Sequence, residues 1–313
     1  MQSSFVSSPR NVRGVSGPSE VVPLAGKGRR PVSRGSKLFV HLVLILICAG
    51  AALPFFWMIS TSLKTLDSAM AFPPQLIPRP FQPGNYIDII RNPNSKFLLW
   101  TRNTLVIALL SVVGTTISSA LVAYGFARIP FKGRGALFGV MLSTMMIPFP
   151  VTMVSMFILF RWMGDWTGIP WLGTFKPLWV PAWFGSAFNI FLLRQFFLTI
   201  PQELSDAARI DGCSEFGIFW RVFVPLSRPA LSVVALFAFI GAWNDFLGPL
   251  IYLQRPEQFT LALGLQSFQS QVGGTQWNQL MAASVLVILP VLVLFFLTQK
   301  TFVQGISTTG MKG

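Results

Sequence analysis

The sequence predicts an all-α membrane protein with six transmembrane helices, on the strength of two observations. First, 52% of the 313 residues are hydrophobic and 11% are charged, whereas an ordinary soluble domain is about 25% charged. Second, six apolar stretches are long enough to cross a hydrocarbon core of roughly 30 Å. These predicted spans comprise residues 38–60, 104–127, 137–160, 178–200, 229–253 and 279–303.

Residues 1–37 precede the first span and predict a disordered, basic tail. They are rich in Ser, Gly and Pro and contain few large apolar side chains, so a packed core is not expected there. This charged region is too long, and the apolar run 38–60 too extended, for a cleavable signal peptide. We therefore expect a retained anchor at 38–60. Beyond it, the proline-rich stretch FPPQLIPRPFQP at 72–83 predicts an irregular segment over the spans.

The distribution of Lys and Arg predicts the orientation of the spans. With the N-terminus in the cytoplasm, sixteen of the 24 basic residues fall on the cytoplasmic side and eight fall outside. This excess agrees with the positive-inside rule. Both termini, together with residues 128–134 and 194–228, are therefore expected to be cytoplasmic, and the loop at 161–177 is expected to lie outside.

Residue content argues against several classes of site. The chain has two cysteines, Cys48 and Cys213, and one histidine, His41, which support neither a disulfide framework nor a metal site. It contains no glycine-rich phosphate loop and no recognisable catalytic constellation. Its basic residues form no dense patch of the kind that binds nucleic acid. We expect no catalytic residue, no metal and no nucleotide bound by this chain.

The fifth span contains WNDF at 243–246, which places a carboxylate, Asp245, inside an apolar segment. Such a carboxylate is costly unless it faces water, a partner or the bundle interior. Two interpretations are open: a role in a solute pathway, and the simpler one of a helix-end carboxylate bonded to Asn244 or a nearby amide. The candidate pathway residues are Asn189, Trp243, Asn244 and Asp245.

Aromatic and proline residues add weaker signals. Tryptophans cluster around the loop at 161–177, where an interfacial aromatic belt explains them more simply than a sugar-stacking platform. Prolines inside the spans can bend a helix, both in pathways and in static bundles. The tryptophans concerned are Trp162, Trp166, Trp171 and Trp179, and the prolines are Pro54, Pro148, Pro150, Pro181 and Pro290.

The acidic residues are concentrated between the fourth and fifth spans, in a segment expected to be a helical hairpin. Four of the ten acids of the chain lie there: Glu203, Asp206, Asp211 and Glu215. Thr199 or Ser205 can cap a first short helix, Gly212 can end it in a left-handed conformation, and Ser214 can cap a second helix. That second helix is expected to lie against the membrane and to stop at Pro225. Its predicted apolar face comprises Phe216, Phe219, Trp220 and Phe223.

The hairpin resembles the EAA loop of ABC importer permeases, which reads E-A-A, three residues, G, nine residues, then I-x-L-P. Here Asp206, Ala207 and Ala208 are followed at the same spacing by Gly212 and by the segment 222–225, VFVP. The resemblance implies a coupling loop at 201–225 that docks into a separate ATPase subunit. The residues expected to act in this coupling are Glu203, Asp206, Ala207, Ala208, Gly212 and Pro225.

The C-terminal residues 307–313, STTGMKG, resemble the tail of the second of two paralogous permease subunits in maltose-type transporters. There the tail reaches between the ATPase subunits, which implies such a contact for Gly310, Lys312 and Gly313. The combined resemblance covers residues 38–313 and implies a type I ABC importer permease fold in a bacterial inner membrane, serving the uptake of a sugar or a related polyol or glycoside.

The same resemblance implies the partners. We expect a homologous second permease, two copies of an ATPase subunit that use ATP and Mg²⁺, and an extracytoplasmic solute-binding protein. Contact with membrane lipid is also expected, and binding of nucleic acid is not. Two other classes of function are open. A secondary transporter or channel would need a coupling-ion site, for which Asp245 is the in-span acid, and a membrane-embedded enzyme would need a catalytic constellation.

Overall fold

The computed structural model describes residues 34–91, 95–269 and 274–309, and every regular element within these ranges is helical. The predicted tail falls almost wholly outside the described residues, as do Gly310, Lys312 and Gly313. Residues from Leu53 onward form one compact unit, and the part of the first helix up to Ala52 belongs to another.

The first two predicted spans are continuous helices. The first is α1 (Arg34–Ser62), which includes Pro54. Two short helices follow, α2 (Leu66–Met70) and α3 (Gly84–Arg91), and then α4 (Phe97–Arg128), which is 32 residues long. Residues 71–83 contain no regular element, as the prolines of that stretch predict.

The third predicted span is broken. It divides into α5 (Arg134–Ser143), which a 3₁₀ turn extends to Met146, and α6 (Phe149–Thr167), and the two parts meet at 100°. The cause is Pro148, which disfavours helical backbone at the residue before it; Ile147 accordingly has φ −87° and ψ 111°. The prediction of one helix over 137–160 is therefore wrong.

The fourth predicted span is also interrupted. It begins with α7 (Lys176–Trp179) and a 3₁₀ segment at Val180–Phe184, and after Gly185 it continues as α8 (Ala187–Thr199). Gly185 has φ +87°, a conformation that glycine adopts most easily. A regular α-helix therefore fills the second half of the predicted span 178–200 and not the first.

The hairpin and the fifth span follow. The hairpin consists of α9 (Gln202–Ile210), α10 (Glu215–Ile218), a π turn at Phe219–Phe223 and α11 (Val224–Leu226). The fifth predicted span divides into α12 (Arg228–Trp243) and α13 (Leu247–Tyr252). Asp245 thus lies in a break between two helices, and not part-way along one continuous helix as predicted.

The last part of the described chain contains one more short helix, α14 (Leu261–Leu265), and the sixth span, α15 (Trp277–Thr309), which includes Pro290. Three helices, α1, α4 and α15, are long and apolar enough to cross a membrane by themselves. Among the described residues, three bent pairs of helices also pass this test together, two of them with a hairpin helix as one member, so the structure allows up to six spans if each pair is counted as one.

Helix α4 packs against both α8 and α12, and small residues make this close packing possible. Ala108, Ser119 and Ala123 are fully buried on α4, as expected where helices approach closely in a membrane. Gly114 allows the closest approach, because a Cβ there would lie 2.3 Å from the indole of Trp183. That indole also donates a 3.1 Å hydrogen bond to the carbonyl of Leu110, which fixes the 3₁₀ segment against α4.

A buried polar network joins α3 to α15. The amide nitrogen of Asn85 donates to the carbonyls of Ser62 and Lys64, at 2.8 Å in each case. Asn278 on α15 donates to the side-chain oxygen of Asn85 over 3.0 Å. Because buried amides are costly when left unpaired, these bonds set the position of α3 against the first turn of α15.

Candidate functional site

The hairpin has the turn that the sequence predicts. Helix α9 ends at Ile210, and Gly212 follows with φ +79°. The Gly212 amide donates to the carbonyl of Arg209 over 3.0 Å, and the Cys213 amide donates to that of Ala208 over 2.9 Å. These bonds satisfy carbonyls that the helix end would otherwise leave unpaired. The prediction of a left-handed glycine that ends the first helix is confirmed.

One of the predicted helix caps is correct and two are wrong. Ser214 caps α10, since its Oγ accepts from the Gly217 amide at 3.2 Å. Thr199 instead bonds back to the carbonyl of Phe196 within α8. Ser205 lies inside α9 and is fully buried. Helix α9 begins after Pro201 and has no side-chain cap. The ring of Pro201 fixes its own φ angle, which favours a helix start at this position.

The predicted apolar face of the second helix is split. Phe219 and Phe223 are 3% and 0% exposed, whereas Phe216 and Trp220 are 67% and 56% exposed. The π turn explains the split: the Val224 amide donates to the carbonyl of Phe219, five residues back, which rotates the side chains away from 3.6-residue periodicity. The buried half packs on its own chain, so the prediction that the four aromatic side chains share one face is wrong.

Pro225 does not end the helical run. Helix α11 extends to Leu226 and then meets α12 at an angle of 82°. Because proline has no amide hydrogen, it cannot supply the next bond of a regular α-helix, and the π turn lies just before it. Pro225 itself is exposed, so it marks the bend between the hairpin and the fifth span.

The residues of the EAA-like motif point in two directions. Glu203, Asp206 and Ala207 are exposed on α9, whereas Ala208 is half-buried and packs against the core formed by α4, α8 and the π turn. Of the two alanines, Ala207 is therefore the one open to a partner chain. Apart from its two neighbours in sequence, no described residue has an atom within 4 Å of a Cβ built at Gly212.

Arg209 joins two of the hairpin acids. Its Nη1 donates to Oδ1 of Asp206 over 2.7 Å, and its Nε donates to Oε1 of Glu215 over 2.8 Å. Tyr124, on α4, donates to the other oxygen of Glu215 over 2.7 Å. The bonds from Arg209 and Tyr124 lower the pKa of the Glu215 carboxyl, which lies on the polar hairpin between the fourth and fifth predicted spans. Two of the four hairpin acids, Asp206 and Glu215, are thus paired with Arg209 within the chain.

Asp245 accepts a hydrogen bond at a helix end and also lines a cavity. One carboxylate oxygen, Oδ1, accepts from the Gly248 amide over 3.1 Å at the start of α13, which is the helix-end arrangement. The residue also lines a cavity of about 640 Å³. Other residues around that cavity are Thr144, Phe149, Pro181, Gly185, Gly248 and Tyr252.

The other candidate pathway residues are not brought to this cavity. Trp243 is 1% exposed, stacks on Phe239 at 5.2 Å and donates to the carbonyl of Val287 over 3.1 Å, so it is a packing residue between α12 and α15. Asn244 is exposed at the end of α12. Asn189 is buried on α8. The structure therefore groups Asp245 with none of the other three candidates around the cavity.

The tryptophans near the loop at 161–177 divide into two groups. Trp162 and Trp166 are 58% and 75% exposed and stack on each other at 5.8 Å, an exposure that an interfacial belt requires. Trp171 is half-buried and stacks on Phe160 at 5.4 Å. The belt interpretation therefore suits the first pair and not Trp171.

Comparisons with known proteins agree with this architecture. The family described as binding-protein-dependent transport system inner membrane component matches residues 116–308, more than half of the chain. The chain belongs to this family. This permease is a multi-pass inner-membrane subunit of an ABC importer. Its family is a transport family and not a catalytic one.

Individual relatives are similar over most of their length. The arabinooligosaccharides transport system permease protein AraQ of Bacillus subtilis is 37% identical over 71% of the permease and 76% of AraQ. The sn-glycerol-3-phosphate transport system permease protein UgpE of Pectobacterium atrosepticum is 35% identical, over 87% and 96% of the two chains. The trehalose/maltose transport system permease protein MalG of Thermococcus litoralis is 31% identical, over 86% and 97%.

Solved structures show the same fold. A chain of a bacterial ABC transporter involved in the import of the acidic polysaccharide alginate superposes with a TM-score of 0.74. The match has 24% identity and covers 87% of the permease and 99% of that chain. At this identity the likeness shows the fold alone, and it confirms the predicted type I ABC importer permease fold.

Sequence reasoning missed two residues at the hairpin, Tyr124 and Arg128. Both lie in the last turns of α4, and the sequence places them inside or just after an apolar span. The available signal was their spacing, because residues four apart lie on the same face of a helix. Nothing in the sequence shows, however, which loop that face meets.

Proposed function

We propose that the permease forms half of the translocation pathway of an importer for a sugar, an oligosaccharide or a related polyol or glycoside. The solutes for which its relatives are named support this class; they are arabinooligosaccharides, trehalose or maltose, and sn-glycerol-3-phosphate. A secondary transporter, a channel and a membrane-embedded enzyme are set aside because the family is one of binding-protein-dependent permeases.

The proposed partners follow from the same relatives. A homologous second permease completes the pathway, two copies of an ATPase subunit bind ATP and Mg²⁺, and an extracytoplasmic binding protein delivers the solute. A structural relative solved with an alginate pentasaccharide-bound periplasmic protein supports the last of these; its TM-score is 0.61. The permease itself would hold no cofactor.

The observation on which this proposal chiefly rests is the exposed side of α9. Glu203, Asp206 and Ala207 face outward there, and Ile210 is 87% exposed at the end of the helix. Both hydrogen bonds to the Asp206 carboxylate end on Oδ1, and no described residue donates to its Oδ2. An ATPase subunit with a basic group can therefore reach Oδ2, while the small Ala207 permits close approach.

The proposed cycle links this surface to the spans. Binding of ATP closes the two ATPase subunits, the docked hairpin moves with its subunit, and the spans change from inward-facing to outward-facing. In the proposed topology both termini and the hairpin are cytoplasmic, residues 1–37 are a basic cytoplasmic tail, and residues 38–313 form the permease domain. Gly310, Lys312 and Gly313 would contact the ATPase subunits.

Reconstitution tests the proposed function. The permease would be co-expressed with its partner permease and ATPase subunit, purified as a complex and placed in lipid vesicles. We expect uptake of a neutral sugar or polyol from a labelled panel, dependent on both ATP and the loaded binding protein. Uptake by vesicles that hold the two permeases without the ATPase would contradict the proposal and favour a secondary transporter or channel.

A further inference from the structure

Six side chains at the end of α4 next to the hairpin are linked by five hydrogen bonds, and one turn of α4 closes the ring. We call this ring the hairpin clamp. Two of them, Tyr124 and Arg128, lie four residues apart on α4 and therefore on one face of that helix. The other four lie on the hairpin. The full set is Tyr124, Arg128, Gln202, Asp206, Arg209 and Glu215.

The ring can be followed bond by bond. Tyr124 and Arg209 donate to different oxygens of Glu215, over 2.7 and 2.8 Å. Arg209 also donates to Asp206 over 2.7 Å, and Gln202 donates to the same oxygen over 3.4 Å. Arg128 then donates to the side-chain oxygen of Gln202 over 2.5 Å, which returns the ring to α4.

Arg128 also reaches beyond the ring. Its Nη2 donates to the carbonyl of Phe197 over 2.6 Å and to that of Ile200, at the end of α8. Its guanidinium lies over the ring of Phe223 at 5.0 Å. One side chain of α4 therefore contacts the end of the fourth span, the start of α9 through Gln202, and the π turn.

An aromatic core lies beneath the ring. Tyr124 meets Phe219 and Phe223 edge to face, at 5.4 and 4.9 Å, and Phe197 meets Phe223 at 5.5 Å. Apolar contacts of this kind resist separation but are not directional, so they alone would let the hairpin slide over the end of α4. Hydrogen bonds that involve charged groups are directional and stronger than neutral ones.

We propose that the hairpin clamp makes the hairpin and the end of α4 move as one body, so that α4 receives the motion of the ATPase subunit. Tyr124 and Arg128 are then positioning residues for energy coupling, since they act through Glu215 and Gln202 and touch neither nucleotide nor solute. This inference rests on the proposed function, because it concerns the transmission of motion from the docked hairpin. Helix α4 is well placed for the task, as it packs against both α8 and α12.

The first test removes one hydroxyl group. Tyr124→Phe keeps the aromatic contacts and deletes the bond to Glu215. In the reconstituted complex we expect amide hydrogen exchange at residues 203–211 to rise by about tenfold, the effect of losing one hydrogen bond to a charged group. We also expect the number of ATP molecules hydrolysed per solute transported to rise, because hairpin motion is no longer passed fully to α4.

A matched control is available in Tyr86→Phe. Its hydroxyl makes a hydrogen bond of the same length, 2.7 Å, to Ser62 Oγ, away from the hairpin. We expect this variant to retain the parental ratio of ATP to solute and the parental exchange at 203–211. If Tyr124→Phe matched Tyr86→Phe in both measurements, the clamp would be overturned as a coupling element.

The second test uses Arg128→Gln, with Arg194→Gln as its control. Arg194 also ties α8 to α4, donating to the carbonyl of Phe126 over 3.2 Å, but it makes no bond to the hairpin. We expect Arg128→Gln to raise the ratio of ATP to solute and Arg194→Gln to leave it near the parental value. Equal defects in the two variants would show that the arginines matter for helix packing alone.

These outcomes are separate from a failure of the proposed function. If the parental complex hydrolyses no ATP in response to the loaded binding protein, the proposed function fails before any variant is compared. If the parental complex is coupled and the Tyr124 and Arg128 variants are equally coupled, the hairpin clamp alone is wrong.

Discussion

Replacing Gly212 tests whether the turn of the hairpin needs glycine for its backbone or for its lack of bulk. Gly212 has φ +79°, and a Cβ there would meet no atom within 4 Å from the described residues beyond its two neighbours in sequence. The cost of a side chain is therefore the conformational cost of the left-handed region, about 1–2 kcal/mol for an ordinary residue and more for a β-branched one. A Gly212→Val variant should thus lower the equilibrium constant for forming the docking-competent hairpin by about tenfold or more.

Gly212→Asn is the matched comparison, because asparagine is enriched in the left-handed region although it is larger than alanine. Initial rates of solute uptake should rank the variants as glycine, asparagine, alanine and valine, from fastest to slowest. Immunoblots of isolated membranes should show similar amounts of all four proteins, since membrane insertion depends on the spans.

Three results would refute this reasoning. Normal uptake by Gly212→Val would show that the turn tolerates a β-branched residue. Loss of the protein from the membrane would show that the turn is needed for folding and not for coupling. If asparagine were as harmful as valine while exchange at the hairpin stayed parental, bulk at a surface covered by a partner would be the cause, and not backbone strain.

The remaining predictions concern docking, topology and the cavity. Asp206→Lys places a cation beside Arg209 and toward the partner, so the ATPase subunit should co-purify poorly, whereas Glu20→Lys, outside the hairpin, should assemble normally; equal assembly of both would contradict the role of Asp206. In intact cells, a membrane-impermeant thiol reagent should label Asp165→Cys and spare Glu215→Cys, and the reverse pattern would invert the topology. Asp245→Asn keeps an oxygen for the Gly248 amide and removes the charge. Reduced uptake with normal membrane abundance would show that the carboxylate matters beyond capping, and unchanged uptake would show that it does not.

The sequence predicts the helix content, the six apolar segments and the hairpin turn because each depends on local chemistry. The left-handed Gly212 and the cap at Ser214 follow from residue types within a few positions of the turn. The positions of α1, α4 and α15 follow from long apolar runs without a strong local interruption. Such features require no knowledge of which other segment lies nearby.

The split of the hairpin face could not be predicted in the same way. Phe216, Phe219, Trp220 and Phe223 fit regular helical spacing, but the π turn before Pro225 moves Phe219 and Phe223 into the core and leaves the other two exposed. The pairing of Glu215 with Tyr124 is also invisible in the sequence, since 91 residues separate the two. Such contacts depend on the tertiary arrangement of the helices.

A single proline in a span does not show whether the bend has a function, so the three broken spans have to be compared. Each break contributes residues to the lining of the cavity of about 640 Å³. They are Thr144 and Phe149 from the break after Met146, Gly185 from the second break, and Asp245 and Gly248 from the break after Trp243. Irregular backbone at membrane depth is tolerated where it is buried in protein or lines a water-filled cavity. Because three interruptions from separate parts of the chain meet at one cavity, they are better explained as its walls than as unrelated bends. Asp245 belongs to one of these walls: its Oδ1 accepts from the Gly248 amide at the start of α13, and its carboxylate is the acidic group among the described residues that line the cavity.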